Sequence, residues 1–453
     1  MASAWNKGIV AALGLLALAC SQGADFTPGA CGLAGYDWLP ADRVGQVLSY
    51  EELEGFRMSA ATIDAMLSLA GAEVLTPVPF GARAFRLRYT TQDKGQAVEA
   101  TGLVALPWIE GQTVEARPEV LFTHGTTGFA NECAPSREAG EGDVFALLLL
   151  AAEGYAAAAP DYIGLDATGP ADEPNPHPHA YLGMEQTAIA SFDCLRAMRE
   201  LLASDLAEIA GADGRVVLWG GSQGGHAVFA CQLYAQHYAP EIALEAAVAL
   251  VPPTDLQALS VYALSSPNPA TAALTAVLTS LHTWYEGSED LGEVLTEEVA
   301  GRIETALFVG CDADQVLEGL DEVGQVYRPG FIEAVSAGRW DDVEPWACYL
   351  ERNSVLGSGI EPEHFLPTLF VVSELDDLVY APAQRDDFER LCAVGYSLDY
   401  LECKGAQHAE GAVFSLPEQI AWVAERLAGT PIPSSELCTL EAARTCSADP
   451  DGQ

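Results

Sequence analysis

Apolar residues recur along this chain in two alternating rhythms. Short apolar runs bounded by Gly, Pro or polar turns alternate with longer stretches of helical period. Arg83–Tyr89 and Ala97–Leu106 read as two antiparallel strands joined through the polar turn Gln92-Asp93-Lys94-Gly95. Further strand-like runs follow at Glu119–Thr123, Tyr155–Ala159, Arg215–Trp219, Glu245–Val251, Thr368–Val372 and Tyr396–Leu401. Helical period appears at 142–153, 183–207, 223–237, 381–394 and 416–428. Short buried strands separated by helices of ten or more residues predict a mainly parallel central sheet covered on both faces.

The alternation stops between Thr254 and Phe365. That stretch carries helix-like patterns at Ala272–Leu281, Leu295–Phe308 and Asp312–Leu320 and little strand pattern. It reads as a helical cap or lid, 254–364, inserted between two strands of one core built from 61–253 and 365–429. Residues 21–60 mix Gly, Pro and acidic side chains and read as a tether and docking segment; 430–453 read as a C-terminal tail. No internal repeat or low-complexity segment interrupts the pattern.

Charge narrows the functional classes. The 453 residues carry 21 Lys and Arg against 65 Asp and Glu, a formal charge of −44. Nucleic-acid binding needs clustered cations and is excluded by that balance, as is docking on an anionic membrane surface. The 49% apolar content is that of a folded globular chain rather than of a disordered acidic one.

The first twenty residues point to export. Lys7 precedes an uncharged apolar run, Gly8–Ala19, too short to span a bilayer. The run Leu16-Ala17-Leu18-Ala19-Cys20 is similar to a bacterial lipobox and predicts a lipid anchor on Cys20, the one expected link to a membrane. Eleven cysteines are an odd number; with Cys20 lipidated, ten remain, free to pair in an oxidising compartment. Closeness along the chain favours Cys438–Cys446, Cys392–Cys403 and Cys311–Cys348. No CxxC spacing suggests a zinc site, so no metal site is read from the cysteines.

Gly220-Gly221-Ser222-Gln223-Gly224 is a G-x-S-x-G sequence with a strand-like run before it and a helix-like run after it. A serine on such a strand–turn–helix elbow is held exposed at a helix N-terminus. It needs a base, and the base needs a carboxylate to orient it. Asp376 follows the run Thr368–Val372, with Glu374 and Asp377 as rivals; its spacing to Val379 favours it. His408 is the only histidine beyond it. The oxyanion formed by attack on a carbonyl needs backbone N–H donors, for which Gln223 and Thr126, in the loop His124-Gly125-Thr126-Thr127-Gly128, are the candidates. His124 reads as a residue that fixes this loop rather than as a base.

That loop, Cys133-Ala134-Pro135-Ser136, the run Pro160-Asp161-Tyr162-Ile163-Gly164-Leu165, His179-Ala180-Tyr181-Leu182 and Gly221-Ser222-Gln223-Gly224-Gly225-His226 together resemble the secretory-lipase (lipase A-like) family of α/β-hydrolases. The resemblance covers roughly Thr101 to Pro252 and returns around Pro367–His408. It implies an α/β-hydrolase fold, a helical cap before the acid-bearing strand, no cofactor, and hydrolysis of carboxylic esters including lipid esters. Two positions depart from the family pattern, Asp166 and Ser373, each where glycine is usual. A serine peptidase of the prolyl-oligopeptidase or dipeptidyl type would use the same machinery, and a non-catalytic binding module could use the same scaffold.

Overall fold

Nine strands lie in one sheet in the order β1-β2-β3-β5-β4-β6-β7-β8-β9. They are β1 (Val47–Met58), β2 (Gly81–Asp93), β3 (Gln96–Trp108), β4 (Val114–Thr123), β5 (Ala156–Pro160), β6 (Ala210–Gly221), β7 (Ala243–Leu250), β8 (Thr368–Ser373) and β9 (Leu398–Cys403). The computed structural model describes residues 28–69, 77–137, 142–171, 175–311 and 317–450. The first three strands form an antiparallel meander, and β3 pairs antiparallel with β5. From β5 onward every neighbour is parallel.

Helices α1 (Ala60–Leu69), α2 (Gly142–Ala152), α3 (Met184–Ala203) and α4 (Gln223–Tyr238) precede β7. Between β7 and β8 come α5 (Leu256–Ala263), α6 (Pro269–Trp284), α7 (Glu297–Val309), α8 (Val323–Val326), α9 (Pro329–Ser336) and α10 (Trp346–Arg352). Then α11 (Ala381–Ala393) joins β8 to β9, and α12 (Glu410–Phe414) and α13 (Leu416–Leu427) follow β9. The two-residue period of β6 sorts its side chains between two cores. Val216 and Leu218 pack with Phe192 of α3 and Phe229 of α4, whereas Val217 and Trp219 pack with Leu148 of α2 and Val423 of α13. Burial of each large apolar side chain contributes about 1.5–3 kcal/mol, so both faces of the sheet are held by the same strand. This is the α/β-hydrolase architecture, a mostly parallel sheet flanked by helices.

The inserted helices have a core of their own. Leu278 and Leu281 of α6, Ile303 of α7, Phe331 of α9 and Trp346 and Leu350 of α10 bury one another away from the sheet. Half of the expected Asp312–Leu320 helix, residues 312–316, lies outside the described residues, as do Cys20 and the whole of the apolar leader.

Two expectations are corrected. Residues 47–58, read as part of a tether and docking segment, form the edge strand β1. Its run Val-Leu-Ser-Tyr-Glu-Glu-Leu-Glu-Gly-Phe-Arg-Met is largely exposed, so no clean apolar alternation marks it. The cysteine pairs guessed from closeness along the chain do not form. The disulfides are Cys31–Cys348, Cys133–Cys311, Cys392–Cys438 and Cys403–Cys446. The reason lies in the tail. It runs beside β9, bridging Leu437 to Asp399 and Arg444 to Cys403, so Cys438 and Cys446 face α11 and β9 rather than each other. The tail thereby covers the edge of the sheet opposite β1. The other two disulfides tie the insertion to the N-terminal segment and to the loop after β4. Cys194 and Cys231 are buried thiols. Four disulfides among the described residues are the mark of a chain folded in an oxidising, exported compartment.

Candidate active site

The elbow is built by close packing. Ser222 links β6 to α4 at φ 56°, ψ −118°, a strained conformation for a residue with a side chain. Its amide donates to Leu250 O at 2.8 Å, which ties the turn to β7. A methyl at Gly220 would strike Thr123 Oγ1, and one at Gly224 would strike Thr123 O. Gly221, by contrast, has ordinary room around its Cβ position. The two fixed glycines of the motif are therefore demanded by the approach of β4.

Ser222 Oγ lies 2.9 Å from His408 Nε2, and His408 Nδ1 lies 2.8 Å from Asp376 Oδ2. The tautomer that satisfies both contacts carries its proton on Nδ1, donating to Asp376, and leaves Nε2 to accept from the serine. Asp376 follows the end of β8, with its side chain fully buried. Oδ1 accepts the amides of Leu378 at 3.0 Å and Val379 at 2.9 Å, and Oδ2 also accepts Gln384 Nε2 at 3.1 Å. The spacing from Asp376 to Val379 thus has a cause, a turn closed on the carboxylate itself. The rivals face elsewhere. Glu374 accepts the Gly405 amide at 2.7 Å, and Asp377 is exposed, its carbonyl accepting Tyr262 OH at 3.0 Å.

Four further residues support this arrangement without having stood out in the sequence for that role. Ser373 Oγ donates to His408 O at 3.2 Å, so the departure from glycine fastens the histidine loop. Gln384, on α11, steadies Asp376. Tyr181 OH sits 2.9 Å from Thr126 Oγ1. His179, buried and stacked on Tyr162, has Nε2 at 2.8 Å from Gln223 Nε2 and Nδ1 at 3.2 Å from Ile163 O. Burial drives its pKa down to about 3, so the ring stays neutral, donating to Ile163 and accepting from Gln223. Only the His-Ala-Tyr-Leu run offered any sign of His179 and Tyr181; nothing in the local sequence around Gln384 marks it.

Gln223 is the first residue of α4, whose first helical bond runs from His226 N to Ser222 O. Its own amide therefore has no partner within the helix. Thr126 is exposed on the loop after β4, and a methyl at the neighbouring Gly125 would come into ordinary contact with Gly221 O and Ser222 Cβ. His124 is buried in stacking contact with Tyr162, its ring nitrogens 2.6 Å from Gly125 O and 3.3 Å from Asp161 O. Asp161 in turn accepts from Thr101 Oγ1 and from the amide and hydroxyl of Ser136. Asp166, the other departure, accepts from the amide and hydroxyl of Thr168 and closes a local turn.

A cavity of about 50 Å³ opens beside Ser222, lined by residues that include Leu256, Ala263, Leu274, Val277, Leu350 and Val379. None of its lining side chains is charged. It lies between the sheet and the inserted helices α5, α6 and α10. Among the described residues no cluster of His, Cys, Asp and Glu is arranged to hold a metal ion.

The fold is shared with solved esterases and lipases. The rice cell wall degrading esterase LipA from Xanthomonas oryzae superposes with a TM-score of 0.69 at 23% identity, covering 87% of this chain and 100% of that one. Candida antarctica lipase A in its closed state gives 0.63 at 18% identity, covering 93% of this chain and 89% of that one. No curated protein matches the chain in sequence. The family model for secretory lipases matches residues 140–307, the stretch that carries Ser222 and the first inserted helices.

Proposed function

We propose that the chain hydrolyses carboxylic esters through an acyl-Ser222 intermediate. The observation that carries this is the unbroken line from Asp376 through His408 to Ser222, with contacts of 2.8 and 2.9 Å. Ser222 Oγ attacks the ester carbonyl carbon while its proton passes to His408 Nε2. Asp376 holds the imidazole in the required tautomer and stabilises the imidazolium. The backbone amides of Gln223 and Thr126 are assigned to the oxyanion, which sits at the positive end of α4. His408 then returns the proton to the departing alcohol. A water molecule, activated by the same nitrogen, releases the acid.

The uncharged lining beside Ser222 supports a neutral ester over a peptide. A peptidase that trims from a chain end needs a charged anchor for the terminus, and this pocket supplies none. Its size of about 50 Å³ favours small acyl groups, and the helices 254–364 are assigned the role of a cap that sets this limit. A chain-length series of p-nitrophenyl esters tests both points. Acetate and butyrate should exceed palmitate in kcat/KM, and a proline p-nitroanilide should not be cleaved. Faster cleavage of the anilide would replace the esterase reading with the peptidase one.

The lipobox-like run supports anchoring of the mature protein through acylated Cys20. Mass spectrometry of the mature N-terminus decides this; an unmodified N-terminus downstream of Cys20 would make the enzyme freely secreted.

A further inference from the structure

The two amides assigned to the oxyanion come from separate segments, the loop after β4 and the first turn of α4. One short run between β5 and α3, Pro178-His179-Ala180-Tyr181-Leu182-Gly183, reaches both. Tyr181 OH lies 2.9 Å from Thr126 Oγ1, and His179 Nε2 accepts from Gln223 Nε2 at 2.8 Å. Tyr181 also meets Phe129, further along the Thr126 loop, edge to face at 5.1 Å. Tyr181 and Leu182 line the cavity beside Ser222.

The run is rigid, and what it touches is not. Leu182 has φ 56°, a conformation that persists in a branched residue only where the surroundings fix it. The Ala180 amide donates to Gln186 Oε1 on α3 at 2.8 Å, and the Gly183 amide to Ala180 O at 2.7 Å. The backbone of Gly164 passes so close that a methyl there would strike the His179 amide nitrogen. By contrast, Thr126 is exposed and lies between Gly125 and Gly128, the latter at φ 131°. A segment of that composition can turn its amides in more than one direction.

The two hydroxyls of the Tyr181–Thr126 contact are not equivalent. Thr126 Oγ1 is the one hydrogen-bond partner of the buried phenol among the described residues, and burial raises the phenol pKa. A buried phenol proton without an acceptor is costly, so Tyr181 donates and Thr126 accepts.

We propose that Tyr181 and His179 are positioning residues for the oxyanion site, Tyr181 fixing the Thr126 peptide through its side chain and His179 fixing Gln223. The proposal rests on the ester-hydrolase reading and deepens it. Neither side chain gives the reaction a proton or a charge. Both act before substrate arrives, by keeping the two amides from turning away from the carbonyl oxygen.

Tyr181→Phe keeps the ring in the cavity wall and removes the bond to Thr126. It should lower kcat for p-nitrophenyl butyrate roughly tenfold with KM changed less than about twofold, a smaller loss than that of a whole oxyanion donor. Inhibition by a trifluoromethyl ketone, whose adduct with Ser222 carries the oxyanion, should weaken by the same factor. Thr126→Val should lower kcat similarly, and Thr126→Ser, which keeps the hydroxyl, should retain most of it. In the Thr126→Val background, Tyr181→Phe should then change kcat by less than about twofold, because the bond is already gone. A Tyr181 that only packs would show its full loss in both backgrounds. His179→Ala should also lower kcat, while the acid limb of the pH profile keeps the midpoint set by His408. Should either buried variant misfold, Thr126→Val and Gln223→Met read the same two bonds from their other ends. Fluorophosphonate labelling of Ser222 in the parent separates two failures. No labelling would remove the hydrolase reading and this proposal with it. Labelling together with an unchanged kcat in these variants, additive losses in the double variant, or a displaced acid limb in His179→Ala would overturn the positioning roles alone.

Discussion

Asp376 and Glu185 are two of the buried carboxylates of this molecule, and their surroundings differ in kind. Asp376 is met by two backbone amides, a glutamine amide and an imidazole N–H, donors on both of its oxygens. Glu185 accepts from Tyr36 and Trp38 on one oxygen, and burial lifts its pKa to about 7. The first environment has all its hydrogen bonds in place before any ligand arrives, so the charge can orient a neighbour. The second has donors on one oxygen alone among the described residues, and its burial favours the protonated, neutral form. Donor count rather than depth therefore separates the two carboxylates.

The largest expected effects fall on the first carboxylate's line. Ser222→Ala or His408→Ala should lower kcat by roughly 10⁴–10⁶-fold with the fold intact, read by p-nitrophenyl butyrate turnover and circular dichroism. A residual activity above a tenth would sink the assignment. Asp376→Asn should be milder than either, since it disturbs the tautomer but leaves the nucleophile and base in place. Asp377→Asn, on an exposed side chain, should be nearly silent; the reverse ranking would move the acid by one residue. Activity should also fall on acidification, because protonated His408 cannot accept the Ser222 proton.

The second carboxylate should show itself in stability. The folded chain holds the Glu185 proton up to about pH 7, whereas an ordinary glutamate releases it near 4.5. Between those values the folded state binds more protons than the unfolded one, so this group's contribution to stability is lost as pH rises through 7. A displacement of that size is worth roughly 3 kcal/mol. Tyr36, Asp93 and Lys94 are the titratable neighbours that bear on it, with burial the dominant cause. Asp387, lifted by burial to about 7, and Asp193, to about 6, act with the same sign, and their contributions cancel when a variant is compared with its parent. Glu185→Gln should therefore be more stable than the parent at pH 8 and nearly equal at pH 5 in urea unfolding. A gain of the same size at both pH values would mean that Glu185 is not the titrating group.

The contrast between the two sites also explains what the sequence could reveal. Ser222 was legible because the elbow is a local device: glycines, a strand and a helix in one short stretch. Asp376 and His408 followed from chain order and from positions just beyond strand ends. Ser373 and His179 act through contacts across 35 and 44 residues and Gln384 through one across 8, and only folding brings them to His408, Gln223 and Asp376. The surroundings of Glu185 were unreadable for the same reason, since Tyr36 and Trp38, which bond it, lie 149 and 147 residues away along the chain. The cysteines make the point most sharply. Separations of 317 and 178 residues close two of the four disulfides, so closeness along the chain guided the pairing wrongly.

The smallest expected effect separates both buried sites from the surface. A formal charge of −44 requires carboxylates to repel one another where solvent lies between them. Salt screens such repulsion beyond about 10 Å at 0.1 M and about 3 Å at 1 M. Melting temperature should therefore rise by a few degrees between low and 0.5 M sodium chloride at neutral pH. Turnover of a neutral short-chain ester should change little over the same range, because Asp376 is shielded from solvent and paired at contact distance. Local pairing works against the stability gain. Glu52 is shared by Arg57 and Arg83, Arg196 joins Asp193 to Glu241, and Arg390 joins Asp255 to Asp387; salt weakens such pairs where they are exposed. A flat or falling melting curve would mean that these attractions outweigh the long-range repulsion, and that the surface charge is organised as locally as the charge on Asp376 is.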